Sequence, residues 1–334
     1  MTTEAKQRRL IRLALERMEP KIRQAFEEAI ARATNRINLS ALLEAIDARN
    51  IDRVLNLIEL TDADMTPLRE ALQEAFKAGG TVSEGVMPKS APLGVFYFNT
   101  GHERAEAWVR QWVGNKIQGI QLDTLALARE VVESGISEGL SSLEVARSIT
   151  GTKTGNRRVG GFLGLNSQQA GSIIRSRGLL ASGDPDLMAQ YLDLKLRDRR
   201  FDKRVKAAIA AGKPIKGKAL TEILEAHRNK ALGYRGRVIA KNEARNALHA
   251  GNAEGMRQIL ERPDVETVTK RWIHGLSKEP RPDHVAMNGT VVGIGEQFEV
   301  GGVMMDRPHD PNAPAEHTIG CNCSLFYRVK FRVI

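Results

Sequence analysis

Cys321 and Cys323 are the only cysteines of the chain, and they follow a stretch that holds His274, His284, His309 and His317, four of its seven histidines. Thiolate sulfur and imidazole nitrogen are both good ligands for a borderline-soft cation such as zinc, so positions 274 to 334 contain the makings of a metal knot. The spacing leaves a second reading open. Paired cysteines in common zinc motifs stand at least two residues apart, and Cys321-Asn322-Cys323 has no second pair to complete a tetrahedron. Two reduced thiols in a final strand, one of them facing the core, fit the same pattern. A disulfide between them would close a very small, strained ring, and two cysteines in 334 residues do not make a disulfide-stapled scaffold. On the metal reading the ligands are His284, Cys321 and Cys323, with His309, Asp310, Glu316 or His317 as the fourth. His274 reads as a strand-end residue.

The elements that must position these groups form a mainly α chain with a small α+β or β-rich module at its end. Residues 5 to 79 have the periodicity of three helices, with Leu10, Leu15, Met18, Ile22 and Phe26 on one apolar face. Ala78-Gly79-Gly80 is expected to end them, and residues 81 to 94, rich in Gly, Pro and Ser, read as a linker. His102 to Glu138 predicts one long helix or two with a bend, and a short helix follows from Ser141. Residues 151 to 165 read as a connector, because they lack the Gly-Lys-Ser/Thr ending of a phosphate-cradling loop. Asn166 with Gln169, and Asp184 before Pro185, are strong helix starts. Residues 220 to 261 continue helical, with a kink expected near Gly233 and with His227 and His249 as surface or core histidines. After Pro263 the texture changes: 266–273, 290–292, 297–300 and 323–334 are β-branched or alternating, separated by Gly and Pro turns. This gives three segments: 1–80, a helical docking region; 81–262, a helical body; and 263–334, the strand-bearing module.

Charge is unevenly placed. The chain carries 50 Lys/Arg against 40 Asp/Glu, and residues 191–250 alone carry 16 against six, so the net +10 falls within that stretch. A confined surplus is the electrostatic footprint expected of a surface that meets a polyanion, nucleic acid or an acidic protein face. Its densest part holds Lys195, Arg197, Arg199, Arg200, Lys203, Arg204 and Lys206, with Asp198 and Asp202 interspersed as local partners. Aromatic residues make up only 5%, which excludes base stacking as a widespread binding mode. No apolar run approaches the roughly 18 residues of a membrane span, and the charged N-terminus lacks the apolar core of a leader, so the protein is expected inside a cell.

Taken in order, Trp272, Arg281-Pro282-Asp283-His284, Asn288-Gly289, Gly295-Glu296, Phe298, Gly301-Gly302, Met305, Pro308-His309-Asp310-Pro311, Glu316 and Cys321-Asn322-Cys323 resemble the signature of phage Mu F-like minor head proteins, the phage head morphogenesis family. Residues 237–251 resemble the helix that precedes this module, and 164–169 and 196–202 resemble its middle portion, so the resemblance covers about residues 95 to 334. It departs at Asn322, where the family has Arg, and at Lys241-Asn242, where a Thr or Arg is usual. The resemblance implies a minor structural protein of a tailed-phage head. Such a protein is portal-associated, present in low copy number and assembled in the host cytoplasm. It then lies inside the virion head near the portal vertex, in contact with the capsid interior and in some members with packaged DNA. Contact of the basic stretch with DNA would be sequence-independent, since no base-reading motif is present.

Two enzymatic readings stand beside it. His284 with Asn288, His309 and the cysteines can be arranged as a metal-dependent nuclease site, with a histidine base and a metal on the phosphate. That reading wants a helix to carry the last ligands, and the residues after His284 read as turns and strands. A toxin-like catalytic domain after the module is not expected, with eleven residues following Cys323 in this sequence.

Overall fold

A computed structural model describes residues 3–88, 91–155 and 157–332. It is mainly helical: α1 (Thr3–Arg36), α2 (Leu39–Asp47), α3 (Ile51–Ile58), α4 (Asp62–Val86), α5 (Glu103–Trp108), a π-turn (Val109–Val113), α6 (Gly114–Ser137), α7 (Ser142–Thr150), α8 (Ser167–Ala181), α9 (Pro185–Tyr191), α10 (Asp202–Ala210) and α11 (Gly217–Leu260). A hairpin of β1 (Thr152–Thr154) and β2 (Arg157–Val159) interrupts the helices. The small α+β module follows, with β3 (Val265–Ile273), α12 (Pro282–Ala286), β4 (Val291–Gly293), β5 (Phe298–Val300), β6 (Val303–Met305), α13 (Ala315–Thr318) and β7 (Ser324–Phe331).

By contacts the chain forms two units, one of Met1–Ala25, Leu68–Asn115 and Arg237–Ile334, the other of Phe26–Pro67 and Lys116–Gly236. This division differs from the three consecutive segments read from composition, because the long helices α1, α4 and α11 each contribute residues to both units.

In the first unit α4 does not stop at Gly79-Gly80 but runs on to Val86. The glycines are there for proximity. A Cβ built on Gly79 would overlap the Leu248 carbonyl, one on Gly251 the Phe76 carbonyl, and one on Gly255 the Ser83 hydroxyl. Two helices that carry Gly79, Gly251 and Gly255 at their crossing can bring backbone against backbone, which no side chain would allow. The turn expected near position 80 is therefore a packing site. Between His102 and Glu138 the helix runs on through the π-helical segment, beside which Trp108 stacks on Trp112 at 4.7 Å and on Phe76 at 4.5 Å.

The sheet of this unit has the order β4-β3-β7, all antiparallel, with Lys270 opposite Tyr327 and Trp272 opposite Leu325; β5 and β6 form a separate hairpin. Alternation on β3 points Val268, Lys270 and Trp272 into the core. Lys270 is buried there because Asp306 meets its ammonium at 2.5 Å and Arg257 meets the same carboxylate at 2.8 Å. Burial lowers the Lys270 pKa; it also works against the Asp306 carboxylate, which Arg257 and Lys270 nevertheless hold below its usual range. From α1, the Gln7 amide pairs with both backbone groups of Tyr327 at 2.7 and 3.0 Å and so covers the outer edge of β7 at that residue.

The second unit starts its helices where the sequence places them. Asn166 and Gln169 form a reciprocal capping box on α8, Ser141 and Glu144 one on α7, and Asp184 caps α9 with Pro185 in its first turn. The expected second helix of the N-terminal stretch is two short ones, α2 and α3, each capped by its own asparagine, Asn38 and Asn50. The expected connector 151–165 is built around the β1–β2 hairpin and ends in buried Phe162, Leu163 and Leu165. The guanidinium of Arg228 lies 5.1 Å over the Phe162 ring.

Replacing Gly251 by Val is expected to lower the unfolding free energy by about 2–3 kcal/mol, since the α4–α11 backbones must separate. Gly119→Ala, at an exposed helical glycine with nothing within 4 Å, should instead raise it by about 0.5–1 kcal/mol. Urea unfolding of both variants checks the contrast.

Candidate metal centre

The C-terminal module brings His284, Cys321 and Cys323 to one point. Proline at the first helical position and Asp283 beside it start the single turn of α12, which carries His284. The loop that leads there is closed by Asn288, whose side-chain oxygen accepts the His274 N–H at 2.9 Å. Gly289, with a φ of 90° that favours glycine, then donates its N–H to the Trp272 carbonyl at 2.8 Å and sends the chain into β4. Cys321 and Cys323 lie immediately before β7, and Gly275 packs so tightly on Asn322 that a Cβ there would overlap the Asn322 carbonyl.

The Cys321 and Cys323 sulfurs stand 3.5 and 3.6 Å from the same nitrogen, His284 Nδ1, and the three ligand atoms lie within 4.8 Å of one another. With metal–sulfur bonds of about 2.3 Å and metal–nitrogen bonds of about 2.0–2.1 Å, the N···S edge of a regular tetrahedron is about 3.5–3.6 Å. The observed edges match it. Hydrogen bonding alone fits less well, because an imidazole nitrogen has one lone pair or one proton and two sulfurs converge on it. The thiols also differ. The hydrogen bond between them, then burial, pushes Cys321 up; the same bond pulls Cys323 down against burial, helped by His284 and the Gly275 N–H. The Cys323 N–H donates to the Cys321 sulfur at 3.3 Å. The group could therefore hold a metal ion.

Access is another matter. His284, Cys321 and Cys323 are each 2–3% exposed, and Trp272 presents to the imidazole in a T-shaped contact at 5.6 Å while Phe298 packs on Trp272 at 5.2 Å. A closed site of this kind suits a structural ion and leaves no path for a substrate.

The other expected ligands are elsewhere. Glu316 is exposed and belongs to neither of the two metal-capable groups among the described residues. His309 also lies outside them: it is buried in the left-handed region at φ 60°, and its ring stacks on His249 at 6.0 Å. Asp310 staples its own loop, accepting the Asp306 and Asn312 N–H groups at 2.7 and 3.0 Å. His317 approaches the other edge of the His284 ring, its Nδ1 3.4 Å from His284 Nε2 and 3.2 Å from Asp283 Oδ2. Asp283 was missed as a site residue, although a carboxylate next to a candidate ligand histidine is a readable signal. A helix, α13, does follow His284, so the absence of a helix does not weigh against a nuclease; the burial of His284 does.

The basic candidates lie in the second unit and divide into two sets. Arg197 is paired with Asp202 at 2.9 Å, Arg200 with Asp198 at 2.6 Å and Arg204 with Glu222 at 3.0 Å. Lys195, Arg199, Lys203 and Lys206 are exposed and have no carboxylate partner among the described residues. Asp198, Asp202 and Glu222 thus neutralise three of these seven cations and leave four to solvent.

An 82-residue stretch of the chain is 32% identical to "Uncharacterized protein YqbB" of Bacillus subtilis (strain 168), a match that covers 23% of this chain and 26% of that protein. The chain thus spans about a quarter of the length of this relative. No family pattern and no solved structure matches the chain. Among the described residues no helix is long and apolar enough to cross a membrane.

Cys323→Ser and exhaustive chelation should each lower the melting temperature, and applying both should lower it no further than either alone. Thermal scans of the two proteins with and without chelator test this; additive losses would contradict a shared metal.

Proposed function

We propose that this chain is a Mu F-like minor head protein of a tailed bacteriophage, with its C-terminal module tied by zinc on His284, Cys321 and Cys323. One observation carries this reading: the residues of the ordered signature are used to build the module. Trp272 and Phe298 back the ligand histidine, and Asn288-Gly289 returns the chain to β3. Arg281 donates to the Ile319 carbonyl at 2.6 Å, Glu296 accepts the Gly293 N–H at 2.6 Å, and Met305 is wholly buried. A signature spent on folding is what a structural component requires, whereas an enzyme would expose part of it to substrate.

Zinc, when bound, supplies a cross-link between α12 and the start of β7. The protein's own residues do the rest: Trp272 excludes water from the ring of His284, and the Cys323 and Gly275 N–H groups meet sulfur charge. The working place of such a protein is the capsid interior at the portal vertex, in low copy number, after assembly in the host cytoplasm. There Lys195, Arg199, Lys203 and Lys206 would meet the phosphates of packaged DNA without regard to sequence.

The intact chain should co-purify with a tailed-phage portal protein and bind duplex DNA with an affinity that falls steeply with salt. Changing Lys195, Arg199, Lys203 and Lys206 together to Glu should remove most of that affinity and flatten the slope of log K against log salt by about 0.9 per lost phosphate contact. Failure to associate with portal or particles would overturn the head-protein reading, and an unchanged salt slope would overturn the DNA surface.

A further inference from the structure

The ring of His284 is engaged at both edges by different groups. Its Nδ1 faces the two sulfurs, and its Nε2 faces His317 Nδ1 at 3.4 Å, with the two rings 11° from parallel. His317 shares a metal-capable group with Asp283 and His284 but with neither cysteine. It stands on the far side of the imidazole from the sulfurs. We propose that His317 is a positioning residue behind His284, accepting its Nε2–H and so holding Nδ1 toward Cys321 and Cys323, and that it is not the fourth ligand. This inference rests on the metal reading above.

An imidazole that binds a cation through Nδ1 carries its proton on Nε2, and a metal-bound histidine generally gives that proton to an outer acceptor that fixes the ring. The His284 side chain is buried, so the acceptor must come from the protein, and His317 Nδ1 is in place for it. That nitrogen has one pairing to give. It accepts from His284 when Nδ1 is engaged by a cation, and otherwise it turns to Asp283, 3.2 Å away. Asp283 keeps a second task in either case, since its other oxygen accepts the His284 backbone N–H at 2.9 Å and steadies the turn of α12.

Cobalt(II) added to the intact metal-free protein provides the test, with affinity read by competition against a chromophoric chelator and coordination read from the thiolate-to-cobalt absorption bands. His317→Ala should weaken cobalt binding about 10–100-fold while leaving the bands in place. His317→Asn, whose amide oxygen can stand where Nδ1 stood, should recover most of the affinity. Should the alanine variant fail to fold, His317→Leu against His317→Asn makes the same comparison. Altered bands would make His317 a ligand, and unchanged affinity, or an asparagine variant as weak as alanine, would leave it only a packing role; each overturns the proposal. A native protein that takes up no cobalt would instead overturn the metal reading itself.

Discussion

The convergence of Cys321, Cys323 and His284 on one point is the constraint that can hold the C-terminal module together. Between β3 and β7 the chain has three strands of three residues each and two helices of a single turn. Elements that short are not stable by themselves, because strand pairs and single helical turns recover too little of the entropy lost in ordering them. A metal on these three residues would tie α12 to the start of β7 and shorten the loop that must be ordered, with Trp272 as its apolar wall. The β3–β7 pairing, the one long ladder of the module, then extends from a fixed end.

The same unit tolerates buried charge only where it is matched. Lys270 points inward because β3 alternation requires it, and Asp306 with Arg257 answers it. Such a triad contributes little net stability, since desolvation offsets most of the attraction, but losing one partner would leave an uncompensated charge. It fixes the loop after β6 against β3 and α11. The glycine crossing of α4 and α11 plays the corresponding part among the helices: it specifies close approach by leaving side chains out.

Much of the fold was legible where local chemistry decides it. The caps at Ser141, Asn166 and Asp184 act within a few residues, so their signals survive in the sequence, and the ligand trio was legible from residue type. The misread positions are those where a distant partner decides. Gly79-Gly80 reads as a helix end until Leu248 and Phe98 are seen beside it, and nothing local to β3 names Asp306 as the partner of Lys270. Glu316 and His309 lie outside both metal-capable groups among the described residues for a related reason: proximity in the chain to Cys321 says nothing about direction, and α13 turns His317, not Glu316, toward His284.

X-ray absorption at the metal edge of the intact purified protein shows whether His284, Cys321 and Cys323 hold an ion. One tightly held ion per chain is expected, with two sulfurs at about 2.3 Å and the remaining shell of nitrogen or oxygen at about 2.0–2.1 Å. Protein free of stoichiometric metal, or an ion whose shell contains no sulfur, would contradict it.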